Sequence, residues 1–392
     1  MTRALLEPGA GIPKGPLRAL AVISGLSVAN LYYNQPLLEL LRTELHTTTF
    51  EANRIAFYAQ TGYALGLFFV IPLADLIDRR RIVGVAFALL VVALAGIAAS
   101  GSIRTIQLFS LATGVCSVLP HLFIPLAARY SRPEERNRNV GIILSGLLTG
   151  ILASRVVSGA VGEWWGWRTM YGAAAATMAA AGIATLRLLP DARPDFRGGY
   201  GALMGSLWTL VRRYPVLRLY SLRAALAFAS FLCFWASLAF RMAEPPFRAG
   251  SDVVGALGLC GIAGAVTATF AGRWIARVGV RRFNVHGAAL QLGAWALFGI
   301  GADSYAAIIA GIVAIDIGMQ CIQLSNQAVL FELEPAASNR INTIFMSTFF
   351  VGGACGTFLS GAAWSLCGWT GVVAVGAALT LASLGVTICS KR

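Results

Sequence analysis

The feature that most constrains this chain is the recurrence, from one end of its 392 residues to the other, of apolar runs about twenty residues long. A helix of about 20 apolar residues is what a hydrocarbon core roughly 30 Å thick demands, and a helix satisfies its own backbone polar groups where no water can. Hydrophobic residues make up 57% of the chain and charged residues only 12%, with a mean hydropathy of +0.71, which argues against a set of soluble domains. The expected class is an all-α polytopic membrane protein.

Twelve spans are expected, at 17–38, 53–74, 82–101, 105–127, 140–162, 169–189, 216–241, 253–275, 283–301, 304–329, 341–366 and 371–389. The longest interruption, 190–215, divides them into two groups of six. The expected organisation is a tail at 1–16, a six-helix bundle at 17–189, a linker at 190–215, a second six-helix bundle at 216–389 and a tail at 390–392.

Charge orients the spans. Of the 31 Lys and Arg, 23 fall on the side that carries both ends, six fall on the other side, and Arg155 and Arg223 lie inside spans. Loops facing the cytoplasm carry such an excess, so both termini are expected there. The net charge of +14 is dealt out in small groups between apolar runs and forms no single patch for nucleic acid. The seven cysteines include no CxxC pair, and His46, His121 and His286 occur without HExxH, so no metal site or cofactor is expected. No GxxxxGK[ST] loop is present for ATP.

The sequence also repeats itself. At an offset of 201, Arg80 and Arg81 of "PLADLIDRRRIV" fall on Arg281 and Arg282 of "AGRWIARVGVRRF". At 202, Pro133, Asn137 and Arg138 fall on Pro335, Asn339 and Arg340, and Gly166 and Trp167 on Gly368 and Trp369. The chain reads as a tandem duplication of a six-helix unit.

Here the sequence resembles the major facilitator superfamily over nearly its whole length. The family's signature after the second span runs roughly Gly-x-Leu-Ala-Asp-Arg-x-Gly-Arg-Arg. Leu73, Ala74, Asp75, Arg79 and Arg80 match it, and Ile71, Leu76 and Asp78 depart from it. The second copy keeps Gly272, Arg277, Gly279, Arg281 and Arg282 but has Ala276 in place of the acid. "ANLYYNQPLL", "SGLLTGILASRVVSG", "DIGMQCIQLSNQA" and "FFVGGACGTFLSG" are similar to the bacterial drug–proton antiporter branch.

The resemblance implies two pseudo-symmetric bundles in the bacterial inner membrane, acting as a monomer on protons and a small molecule. It also implies that Asp75, with Arg79 and Arg80, latches one conformation against the positive end of the eleventh span, an interaction worth about 0.3–1 kcal/mol, or roughly 2 when partly buried. Carried over to this chain, its cavity-lining spans give Asn30, Tyr32, Tyr33, Asn34, Gln35, Phe123, Phe231, Phe234, Trp235, Gln320, Gln323, Asn326 and Gln327. That mixture of aromatics and amides suits an amphipathic ligand.

Two charges lie deep inside spans, Arg155 and Asp316. An ionisable group there costs at least about 2.5–3.5 kcal/mol and normally faces a cavity or a partner. Asp316 is the expected proton-coupling residue. Arg155 is either its partner or a contact for an anionic substrate, and a plain packing role for each is the alternative. His121 ranks behind Asp316 as a proton carrier, and Arg223 reads as a snorkelling side chain. The small-residue stretches Gly62–Gly66, Gly146–Gly150 and Gly352–Gly356 suit spans that slide between the two halves, or tight packing alone.

The expected activity is proton-coupled export of a small amphipathic molecule by alternating access. Uptake of an organic anion with protons is the nearest rival. A non-transporting sensor or a membrane enzyme would need an effector domain or a catalytic cluster that the sequence does not show.

Overall fold

The computed structural model describes residues 9, 11–189, 199–334 and 337–389, with the side chains of residues 75, 269, 272, 273 and 276 outside the description. Within these residues the chain is helical from end to end, with no strand. The first crossing is broken, α1 (Lys14–Ala29) giving way at 30–33 to α2 (Asn34–Glu44). The second is α3 (Thr49–Leu65), which loosens into a π turn (Gly66–Val70) and then a 3₁₀ turn (Pro72–Asp75), where Pro72 can donate no backbone hydrogen bond.

Next come α4 (Arg79–Ala99), then α5 (Ile103–Cys116) and α6 (Pro120–Tyr130) as one crossing broken before Pro120. α7 (Arg136–Trp165) and α8 (Trp167–Leu188) complete the first half. The second half begins with α10 (Pro215–Ala243), followed by α11 (Ser251–Leu257) and α12 (Ile262–Val278) joined by a 3₁₀ turn (Gly258–Gly261). It ends with α13 (Val280–Ile300), α14 (Tyr305–Leu333) and α15 (Ser338–Cys389). α15 contains non-helical backbone at Cys367 and Gly368, so it holds two crossings as two arms.

Nine helical segments among the described residues are long and apolar enough to cross a membrane, α15 counting once. Its second arm, the broken α1–α2 crossing and α13 bring the crossings to twelve.

The interruption read as a linker is not bare loop. Beyond residues 190–198, which lie outside the described residues, it folds as α9 (Tyr200–Arg213). α9 buries Leu203, Leu207 and Leu210 against the protein and exposes Trp208, Arg212 and Arg213, as an apolar stripe on a polar helix dictates. In the tails, Gly9 and Gly11 donate backbone hydrogen bonds to Arg129 and Tyr130 at 3.1 and 2.9 Å, while residues 1–8, 10 and 390–392 lie outside the described residues.

Each half is knitted by close helix pairs. In the first, α1 lies on α7 so closely that a Cβ on Gly146 or Gly150 would strike the carbonyls of Ala21 or Gly25. In the second, Gly352 and Gly356 of α15 meet Ala225 and Ala229 of α10 in the same way. Gly62 and Gly66 of the second crossing pack on Leu111 and Val115 of α5. These small-residue stretches therefore bind helices within a half. Between the halves, the close approach is made by other glycines, Gly159 and Gly255.

Candidate functional site

The two halves meet chiefly along two seams, and α2 also packs on α10 and α11. In one, α3 runs beside the first arm of α15. Asn53 donates to the Ala236 carbonyl at 3.3 Å and to Ser360 Oγ at 3.4 Å, Thr357 donates to Gln60 Oε1 at 2.7 Å, and Tyr63 lies 4.4 Å from Phe350. In the other, α7 meets α11, and a Cβ on Gly159 would come within 2.9 Å of Gly255 Cα. Beyond Gly261 that second seam ends, because α12 packs on α14 and α13. Both seams are closed on the face opposite the chain ends.

The two deep charges stand where the second seam gives out. Arg155, on α7, is 2% exposed. Its Nε donates to Gln35 Oε1 at 2.8 Å, and its guanidinium lies 4.0 Å from the Trp235 ring and 5.2 Å from Tyr32. Asp316, on α14, is 8% exposed, and its Oδ2 is buried without a hydrogen-bond partner. Both pack on the 3₁₀ turn. A Cβ on Gly258 would sit 2.9 Å from Arg155 Cβ, and one on Gly261 would sit 3.2 Å from Asp316 Oδ1. The bare glycines, three apart on one side of the 3₁₀ turn, let both side chains close on it, and the two charges stop short of a direct ion pair.

Such an arrangement has a chemical consequence. A buried charge without a partner is costly, and the cost disappears when a carboxylate takes up a proton or when the cation meets an anion. Arg155 and Asp316 are therefore the two positions here where a proton or an anion would change the energy most. The aromatic faces against Arg155 supply a cation–π attraction of about 0.5–2 kcal/mol.

The other residues singled out by sequence are spread more widely. His121 Nε2 and Tyr63 Oη are 3.1 Å apart, which puts that pair at the α3–α15 seam. Asn30 bonds the carbonyls of Leu26 and Ser27 and lies 3.2 Å from Met178 Sδ of α8, so it faces inside the first half. Asn34 bonds the Leu31 carbonyl. Tyr33 and Phe123 are buried.

In the second half, Phe231 stacks toward Phe228 and Trp235, while Phe234 stacks on Phe298 at 4.1 Å among Trp295 and Trp369, inside the bundle. Gln320 packs beside Gly264, Gln323 is half-buried, and Gln327 donates to Asn342 at 2.9 Å. Asn326 accepts from Arg223 at 3.3 Å and donates to Asn284 at 2.9 Å. Arg223 is 1% exposed, so it is a buried member of a polar network and does not snorkel.

At the signature turn, Asp75 closes the 3₁₀ turn, and its side chain is outside the description. Asp78, a departure from the signature, accepts from the Arg80 backbone N–H at 3.0 Å and caps α4. Arg79 keeps one terminal nitrogen buried without a partner.

Sequence reasoning missed Glu163, which bonds Ser251 across the α7–α11 seam. Its scarcity was a signal: it is one of only 17 acidic residues, and it shares a helix with Arg155.

The sequence profile of the Major Facilitator Superfamily matches residues 20–247. The chain belongs to the Major Facilitator Superfamily. "Uncharacterized transporter YgaY" of Escherichia coli O157:H7 is 36% identical over 373 residues, which covers 93% of each chain. "Probable transporter SCO4007" of Streptomyces coelicolor is 32% identical over 392 residues, covering 98% of this chain and 90% of the relative.

Among solved structures, a single-site mutant of nucleoside transporter NupG superposes with a TM-score of 0.79 at 13% identity, covering 96% of this chain and all of its own. A bacterial homologue of the human lysosomal transporter Spinster, inward-facing and unoccupied, gives 0.68 at 12% identity, covering 95% and 94%. The superfamily member described here is thus a multi-pass membrane protein of the secondary-transporter type, with two pseudo-symmetric six-helix halves.

Proposed function

We propose that this transporter exports a small amphipathic organic molecule in exchange for protons, in the manner of the drug–proton antiporter branch, with Asp316 as the proton carrier. One observation carries the reading: a carboxylate buried at the seam between the halves, with Oδ2 unpartnered and packed, like Arg155, on the Gly258–Gly261 turn. An ionised Asp316 is pulled toward Arg155 and raises the cost of leaving that seam dry, whereas a protonated one is not. Proton binding therefore biases which face of the molecule stays shut, and a ligand that binds one state better biases it too.

The basic face is assigned to the cytoplasm, by the excess of Lys and Arg there, and the membrane to the bacterial inner membrane. The halves 17–189 and 216–389 rock against each other, and the ligand binds among Tyr32, Gln35, Trp235 and Arg155 as a monomeric carrier with no cofactor.

A second reading rests on Arg155. Its terminal nitrogens make no hydrogen bond with another described residue, which suits a carboxylate or phosphate on the cargo and uptake of an organic anion together with protons.

Everted vesicles energised to pump protons inward, with a pH-sensitive dye, separate the two. A compound that releases protons from the native protein and fails to do so with Asp316→Asn supports antiport at Asp316. Release that survives the substitution moves the proton site elsewhere, with His121 next to be replaced. Proton-driven accumulation of an organic anion in right-side-out vesicles, lost in Arg155→Gln, establishes the second reading instead.

A further inference from the structure

The α7–α11 seam ends, on the face opposite the chain ends, in a contact that the charge pair does not use. Glu163, two turns beyond Arg155 on α7, accepts from the Ser251 backbone N–H at 2.9 Å and from the Ser251 hydroxyl at 3.1 Å, both on Oε2. The same hydroxyl lies 2.8 Å from the Gly159 carbonyl, so one side chain of the second half is held at two points on the first. The carboxylate fits because residue 250 is glycine: a Cβ there would lie 2.5 Å from Oε2.

Ser251 begins α11, and its N–H has no acceptor within that helix. When the two helices part, the N–H, the hydroxyl and the carboxylate all lose their partners at once, and only water replaces them. Hydrogen bonds to a charged acceptor are the strong ones, so this contact weighs on the equilibrium between closed and open more than its size suggests.

We propose that Glu163 and Ser251 are positioning residues of the transport cycle: together they form a clasp across the halves that sets how long the opposite face stays shut. The clasp is mechanically continuous with the charge pair, because a Cβ on Gly255, one turn along α11, would lie 2.5 Å from the Arg155 carbonyl. A shift of α7 caused by ligand at Arg155 therefore reaches Glu163 through one rigid helix. This inference rests on the alternating-access reading of the family and on neither the cargo nor the coupling ion.

The test is hydrogen–deuterium exchange read by mass spectrometry on the full chain in lipid nanodiscs, comparing the native protein with Glu163→Ala, Glu163→Gln and Ser251→Ala. Loss of the clasp is expected to speed exchange about tenfold in 251–257 and, away from the substitution, in 49–57 and 357–361 of the other seam. It is expected at the same time to slow exchange in 262–278, as the opposite end of the seam closes. Glu163→Gln keeps an acceptor oxygen and should fall between the native protein and Glu163→Ala.

A change confined to 250–254 would mean a local bond only and would overturn the proposal, as would faster exchange in all four segments together. If Glu163→Ala does not purify as a folded protein, Ser251→Ala, which removes only the hydroxyl, is expected to show the same reciprocal pattern at smaller size, and its absence there overturns the proposal equally.

Discussion

The two seams between the halves are built from different materials. The α3–α15 seam is long, aromatic and amide-rich, running from the Phe50–Phe358 contact at 5.4 Å to the Tyr63–Phe350 contact at 4.4 Å. The α7–α11 seam is short and made of glycines, with charges at both ends, Glu163 on one side and Arg155 with Asp316 on the other. Interdigitated rings resist small displacements because each loses many close contacts. Glycine faces part with little loss of dispersion, and buried charges make the energy of parting depend on protons and ligands. On the proposed transport cycle, this contrast assigns the first seam to the hinge side and the second to the responsive side.

That contrast can be broken at several points. The largest effect is expected from Asp316→Asn, which removes the proposed proton carrier beside the responsive seam. Dye-monitored proton exchange in vesicles should fall to background while the variant still purifies as a folded protein.

Next comes Gly255→Leu. Its Cβ alone would crowd the Arg155 carbonyl at 2.5 Å, and the larger side chain must hold α7 and α11 apart. Overpacking of this kind costs about 1–3 kcal/mol, so transport rate is expected to drop at least about tenfold, with thermal stability reduced in parallel. If the rate is unchanged, the seam does not have to close tightly.

Trp235→Leu should then weaken the site without touching either seam's backbone. Losing a cation–π contact of about 0.5–2 kcal/mol predicts a few-fold to about thirtyfold rise in the half-saturating concentration of a transported compound. The smallest change is expected from Thr357→Val, which deletes the 2.7 Å bond to Gln60 in the hinge seam. It should cost about 1 kcal/mol in unfolding and leave the transport rate within about twofold. A large loss of rate in Thr357→Val would erase the proposed distinction between the seams.

Much of the crossing pattern could be read without coordinates, because hydrophobicity along a segment needs no partner. The boundaries shifted where polar residues join a helix: α7 starts at Arg136 and runs to Trp165, beyond the expected 140–162. Breaks inside crossings were harder to see. The Gly258–Gly261 turn lies in an apolar run whose composition resembles its neighbours, and it is distinguished by what packs on either side of it. Likewise α9 was hidden in the longest interruption between apolar runs, although Leu203, Leu207 and Leu210 fall at helical spacing within it.

The site was legible only in part for the same reason. Arg155 and Asp316 stood out because charges deep in apolar runs are rare. Phe234 and Asn326 are aromatic and amide residues like Trp235 and Gln35, on the same kinds of span, yet they point into a bundle. A helix shows every face of itself in sequence, and which face meets the other half depends on rotation about its axis. Small-residue stretches are ambiguous in the same way: Gly146–Gly150 and Gly352–Gly356 pack within halves, and Gly159 and Gly255 pack between them.

The sequence by itself determined the number of crossings, the side on which the basic residues gather and the duplication that makes the halves alike, since each follows from local composition or direct repetition. Only the tertiary structure decided that Arg155 reaches Gln35 across 120 positions, that it and Asp316 pack on one glycine turn, and that Glu163 holds Ser251. Those pairings depend on how closely two helix backbones approach, and that distance is set by packing throughout both halves.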